Sequence, residues 1–224
     1  MADPVIGLIF HGLGTPRREL EPGEASYWIS VKRFEAILEQ VMALNDPHRI
    51  HISFDDGNAS DHDIALPRLL ERGLQADFFV LSGRIGQAGS LSAEQIRALA
   101  KAGMGVGSHG IAHRDWRQIS ADELAAELSG SRATIEGVLG HAITTAGIPF
   151  GSYDARVLTA LRRAGYTAAY SSDRGPMGPL SFLRPRTSVR DGMSEAAIAA
   201  ILGDRMPAWR RVRRSIGVLW RRWF

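Results

Sequence analysis

Two hydrophobic periods take turns along this chain. Residues 5–10 (Val-Ile-Gly-Leu-Ile-Phe) form an apolar run that reads as a strand ending at His11-Gly12. After a loop rich in Gly, Pro and Glu, the positions Phe34, Ile37, Leu38 and Val41 recur at helical spacing and predict a helix over about 30–44. Ile50, Ile52 and Phe54 alternate with His51 and Ser53, a short strand that ends in Asp55-Asp56-Gly57. A polar loop over 58–63, with Asp61, His62 and Asp63, leads to a helix expected to turn Leu66, Leu69 and Leu70 inward before Gly73 closes it. Residues 76–81 read as a third strand and 104–107 as a fourth. Between them Ser92 and Gln95 make a capping box for a helix that stops at Gly103. Ser120 and Glu123 cap a further helix that runs to about Leu139, before Gly140. Strand patterns return at 143–146, 167–170 and 182–189, with a helix over 154–164 closed by Gly165.

This is a β-α alternation with about seven strands, which predicts a parallel sheet, either a barrel or a doubly wound layer. In both, chemistry gathers at the carboxyl ends of the strands. His11, Asp55, Asp56, His109 and His113 all lie just past such ends.

At 224 residues the chain suits one large domain. With no cysteine, disulfides, thiolate metal sites and thiol nucleophiles are excluded. The N-terminus lacks the pattern of a secretory signal, and no apolar run reaches the length of a membrane span. The expected location is therefore cytoplasmic. The net charge of +3 hides an asymmetry, because residues 205–224 hold seven arginines and no acid. The remainder carries 20 basic and 24 acidic residues, a balance of −4. We therefore divide the chain into a main domain over 1–204 and a basic amphipathic tail over 205–224. In the tail Trp209, Val212, Ile216, Leu219, Trp220 and Trp223 share one helical face, with the arginines largely opposite. Such a helix suits the surface of an anionic membrane, peripherally on the inner face, or packs its tryptophans on the domain. No nucleic-acid-binding motif accompanies the basic run.

Taken singly, Asp-Asp-Gly is a common turn, and His-x-x-x-His is common on solvated surfaces. Together at successive strand ends they point to a metal. Neighbouring strand residues face opposite ways, so Asp55 and Asp56 can do different jobs only if the backbone turns there, as Gly57 permits. One carboxylate with the imidazoles of His109 and His113 makes a facial ligand set for a divalent metal. Zinc is the first candidate; iron, cobalt, nickel and manganese suit the same set. Asp173, after the 167–170 strand, is a candidate for the substrate groove or for a turn.

Ser53-Phe54-Asp55-Asp56-Gly57 resembles the first motif of the polysaccharide deacetylases, the NodB-homology family. Ser108-His109-Gly110-Ile111-Ala112-His113 resembles the second, with Gly110 where a hydroxyl residue is usual. Ile148-Pro149-Phe150-Gly151-Ser152-Tyr153-Asp154 resembles the third, and the likeness spans roughly 50–175. It implies a distorted (β/α)7-type barrel and metal-dependent removal of N-acetyl groups from an amino sugar, polysaccharide or glycolipid precursor. It assigns Asp56, His109 and His113 to the metal and Asp55 to the general base. The backbone N–H of Phe150 would hold the oxyanion, and Pro149, Phe150 and Gly151 would border the substrate.

Two family features are missing. Gly147 stands where the family has the arginine that orients the catalytic aspartate, so Arg184 or Arg186, with Arg186 preferred, is expected to supply that charge. The family's late histidine, a general acid, has no match, because all seven histidines precede residue 142. His11 is one substitute, and Asp55 returning its own proton is another. A catalytically inactive carbohydrate-binding protein and a hydrolase of small non-sugar amides remain as alternatives.

Overall fold

Each strand turns its apolar alternate residues outward, and helices cover them. In β1 (Val5–Phe10) and β2 (Ile50–Asp56) these are Ile6, Leu8, Phe10, Ile50, Ile52 and Phe54, all buried in the main core. β3 (Ala76–Val80) adds Phe78, whose ring stacks 4.8 Å from Phe54. Helix α1 (Val31–Met42), capped by Ser30, buries Phe34, Ile37, Leu38 and Val41, the expected face. Phe34 meets Phe10 edge-on at 5.0 Å. Both predicted capping boxes form, on α3 (Ala93–Lys101) and α4 (Ala121–Leu139).

The computed structural model describes residues 5–178 and 181–204. The expected amphipathic tail at 205–224 lies outside the described residues. β4 (Gly105–Ser108), β5 (Thr145–Gly147) and β6 (Ala168–Ser171) continue the parallel sheet, with α5 (Ala155–Arg163) between the last two. β6 then pairs with β8 (Leu183–Pro185), and β9 (Thr187–Ser188) pairs with β1. The sheet therefore closes into a nearly complete barrel through a single residue, Arg186. Here the structure corrects the continuous strand expected over 182–189. The chain changes partner at Arg186, whose N–H still reaches Ser171 O at 2.9 Å, while Val189 N–H bonds Ile9 O.

Four further details depart from expectation. β7 (Pro176–Met177) adds an antiparallel edge to β1, and α6 (Glu195–Leu202) packs on α1 with Ile198 and Leu202 buried. Leu70 is 51% exposed, because α2 (Leu66–Glu71) has only six residues and buries just Leu66 and Leu69. The 58–63 segment is only partly solvated, with Asp63 exposed. Asn58, Ser60 and Asp61 are buried, and one π-turn over Asp61–Ala65 leads into α2.

The lumen is mixed, unlike the outer face: polar side chains share it with an apolar cluster of Phe79, Ala168, Tyr170 and Met177. His51, Ser53 and Asp55 of β2 point into it with Asp77, Tyr170 and Arg186. His51 bonds Asp77 at 2.7 Å and stacks on Tyr170 at 5.0 Å. Glycine makes the room: a Cβ on Gly7 would lie 2.8 Å from Arg186 Cγ.

Candidate active site

At the carboxyl end of β2 the backbone turns where two adjacent carboxylates need it to. Asp55 keeps the strand's inward direction, while Asp56 takes φ 79° and Gly57 φ 69°. An aspartate tolerates the left-handed region only at some cost, so the surroundings hold it there. The result turns Asp56 toward His109 and His113, whose Nε2 atoms lie 3.5 and 3.6 Å from Asp56 Oδ1.

These three residues form a group whose potential ligand atoms all lie within 4.8 Å of one another. Asp56 Oδ1 is buried and accepts no hydrogen bond. A buried, unpartnered carboxylate oxygen facing two imidazole nitrogens is costly unless a cation joins them. The donor set fits a divalent metal, and zinc among others by its nitrogen and oxygen ligands. His109 is held by its Nδ1, 3.0 Å from Gly147 O, which leaves Nε2 directed at Asp56. Burial pushes the His109 imidazole down to about 4, against the pull of Asp55 and Asp56. The ring is therefore neutral at pH 7, as a metal ligand must be. His113, at φ 50°, places its Nδ1 2.9 Å from Glu21 Oε2.

Asp55 has a different partner. Arg186 donates to Oδ1 at 2.7 Å and to Oδ2 at 3.0 Å, and its first nitrogen also reaches Ser53 Oγ at 2.8 Å. The guanidinium is itself buried, 4.8 Å over the Phe79 ring. Burial pushes the Asp55 carboxyl up, but Arg186 outweighs it, and the group sits below the usual carboxylate range. The charge missing at Gly147 thus arrives from the β8–β9 junction. A Cβ on Gly147 would lie 3.0 Å from both His109 Nδ1 and the Phe79 ring, so that position has no room for a side chain. Arg184 turns elsewhere and bonds the Tyr170 hydroxyl at 2.8 Å.

A cleft of about 400 Å³ opens over the carboxylates, lined also by His11, Glu21, Tyr27, Phe150, Gly151 and Arg190. His11 packs its ring 4.7 Å from Tyr27. Phe150, at φ 58° and 61% exposed, stands on the rim with its ring 4.3 Å from His113.

Two expected substrate residues do not line this cleft. Pro149 is buried beneath the loop, and Asp173 Oδ2 is taken up by the Tyr153 and Ser171 hydroxyls at 2.5 and 2.8 Å. Asp173 braces the third-motif loop. Asp61, although it follows the same strand end, is fully buried and does not line the cleft. Burial and the neighbouring Asp56 push its carboxyl well above the usual range. Glu21, Tyr27 and Arg190 had no signal in the sequence beyond their places in loops after strands, where function often gathers.

Fold and site together define a nearly closed β/α barrel with a buried carboxylate–arginine pair beside a candidate divalent-metal centre. The sequence model of the family described as polysaccharide deacetylase matches residues 44–169, and the chain belongs to that family. It is 27% identical over 155 residues to YxkH of Bacillus subtilis, itself provisionally named a polysaccharide deacetylase. That match covers 67% of this chain and 55% of YxkH, so the chain spans little more than half of that relative's length. Among solved structures it is similar to the Streptococcus pyogenes deacetylase PplD in complex with acetate. The TM-score is 0.75 at 18% identity, covering 90% of this chain and 99% of that one. It is also similar to IcaB from Ammonifex degensii, with TM-score 0.74 at 20% identity, covering 90% and 97%. At those identities the likeness is one of fold.

Proposed function

We propose that the protein is a metal-dependent deacetylase that hydrolyses the N-acetyl group of an amino sugar, in a polysaccharide or a glycolipid precursor, and releases acetate. The observation that carries this reading is the arginine-held Asp55 beside the Asp56–His109–His113 cluster. A non-catalytic binding protein has no need of an oriented base there.

When bound, a divalent metal, zinc first among the candidates, would polarise the amide carbonyl and acidify a water. Asp56, His109 and His113 would hold it. Asp55, kept ionised and oriented by Arg186, takes a proton from the attacking water as its oxygen bonds the carbonyl carbon. The backbone N–H of Phe150 stabilises the negative charge that develops on the carbonyl oxygen. As the C–N bond breaks, His11 gives a proton to the leaving nitrogen. Asp55 then releases its proton to solvent and His11 regains one, restoring both groups, while the acetic acid formed ionises to leave acetate and a free amine.

The rim supports a sugar: the exposed Phe150 ring offers aromatic surface beside the polar groups of the cleft. The tail composition supports a substrate at an anionic membrane surface, reached from the cytoplasmic side. Acetate release should be measured from a panel of soluble and lipid-linked N-acetylated glycans, using zinc-loaded wild type and Asp55→Asn. We expect metal-dependent release that Asp55→Asn lowers by about 10²–10⁴-fold. Equal release by the two proteins, or none from any glycan, would overturn the reading.

A further inference from the structure

The chain before α1 lies outside the family-matched residues 44–169, yet it forms one wall of the cleft. From this wall Glu21 reaches His113, accepting the Nδ1 proton at 2.9 Å. That contact fixes the proton on Nδ1 and leaves the Nε2 lone pair facing Asp56. The two imidazoles are thereby held differently, because His109 meets only the neutral carbonyl of Gly147. A carboxylate partner orients a ligating imidazole and raises its basicity.

Glu21 is itself fastened from both sides. Its Oε1 is ion-paired with Arg84, in the turn after β3. Its backbone N–H donates to Glu24 Oε2 at 2.8 Å. Glu24 is in turn held by Arg18 and by Trp28 Nε1, and Arg18 donates to Asn58 Oδ1 at 3.0 and 3.1 Å. Asn58 is two residues beyond Asp56. The network runs from one ligand of the candidate centre, through the strap before α1, to another. His113 also has φ 50°, a conformation that a non-glycine residue keeps only with outside support.

We propose that Glu21 is a positioning residue for the metal centre, setting the tautomer and orientation of His113 and strengthening it as a ligand. This rests on the reading that Asp56, His109 and His113 hold a divalent metal.

The test is titration of zinc, and separately cobalt, into the full metal-free chain against a chromophoric chelator. Wild type, Glu21→Gln and Arg84→Met are compared. Wild type should bind one equivalent, and Glu21→Gln should bind about 10–100-fold more weakly. The visible absorption of the cobalt form should change with it, while the melting point of the metal-free protein stays unchanged. Arg84→Met, which frees the carboxylate without altering the cleft lining, should weaken zinc by a smaller factor. Wild-type zinc affinity in both variants would overturn the proposal, as would a weakening matched by a fall in metal-free stability. Failure of wild type to bind any metal is a separate result, and it would remove the metal reading itself.

Discussion

Arg186 and Asp55 share two hydrogen bonds at the floor of the cleft, with side chains only 1% and 5% exposed. Removing one partner of such a pair strands the other, at about 3–5 kcal/mol. Arg186→Met is expected to cost stability of that order in a urea denaturation series. It should also shift the activity profile. With the arginine gone, the largest influence left on Asp55 is burial, which raises its pKa, so the base ionises only at higher pH. The acidic limb of kcat/KM against pH should therefore move upward from its wild-type position; an unmoved limb would deny Asp55 the role of base. Gly147→Ala should destabilise the protein by about 1–3 kcal/mol, because the new methyl meets Phe79 and His109. Arginine cannot simply be moved back to the family's position for the same reason. The sequence offers both Arg184 and Arg186 on one strand pattern, with Arg186 preferred, and the structure bears out that preference. The change of pairing between β8 and β9 turns Arg186 to Asp55.

Helices were the most legible elements, because their signals are local. Ser120 and Glu123 announce the start of α4 within four residues, and both halves of the box form in the structure. Ser120→Ala is expected to cost about 1 kcal/mol. Bonds from Arg114 first, and then from Ser120, lower the Glu123 pKa to about 2. A depressed folded-state pKa contributes stability above the unfolded value that is lost as pH falls through the folded one. Glu123→Gln should therefore lower the melting temperature at pH 7, with the difference fading between about pH 4.5 and pH 2. A pH-independent difference would assign the effect to the helix rather than to the charge. Strands were less legible where they are short. The continuous run expected over 182–189 divides because two neighbouring strands compete for it, and no local pattern records that competition. Leu70 looked inward for a similar reason, as spacing does not tell how narrow a contact line a six-residue helix will have.

At the scale of the molecule, the barrel inverts the usual arrangement of a core. Most apolar residues face outward to the helices, and a polar column of His51, Asp77, Tyr170, Arg186 and Asp55 runs up the lumen to the site beside a small apolar cluster of Phe79, Ala168 and Met177. A metal bound at the top of this column would add its binding energy to folding stability, since the unfolded chain lacks the site. Chelator treatment is expected to abolish acetate release and lower the melting temperature. Zinc at about a hundred times its Kd should restore about 2.7 kcal/mol. Restoration of activity without a shift in melting temperature would place the metal outside the folded site.

The sequence alone determined the β-α alternation, most helix boundaries, and the meeting of Asp55, Asp56, His109 and His113 at strand ends. Each of these follows from periodicity, capping and short motifs, whose information lies within a few residues. Tertiary structure decided what depends on closure. It turned Arg186 rather than Arg184 to Asp55, buried Asp61, withdrew Asp173 and Pro149 from the cleft, and brought Glu21 to His113 across 92 positions of sequence. Those outcomes depend on which strands meet around the barrel and which loops then overhang its mouth, and that pairing is a property of the whole chain.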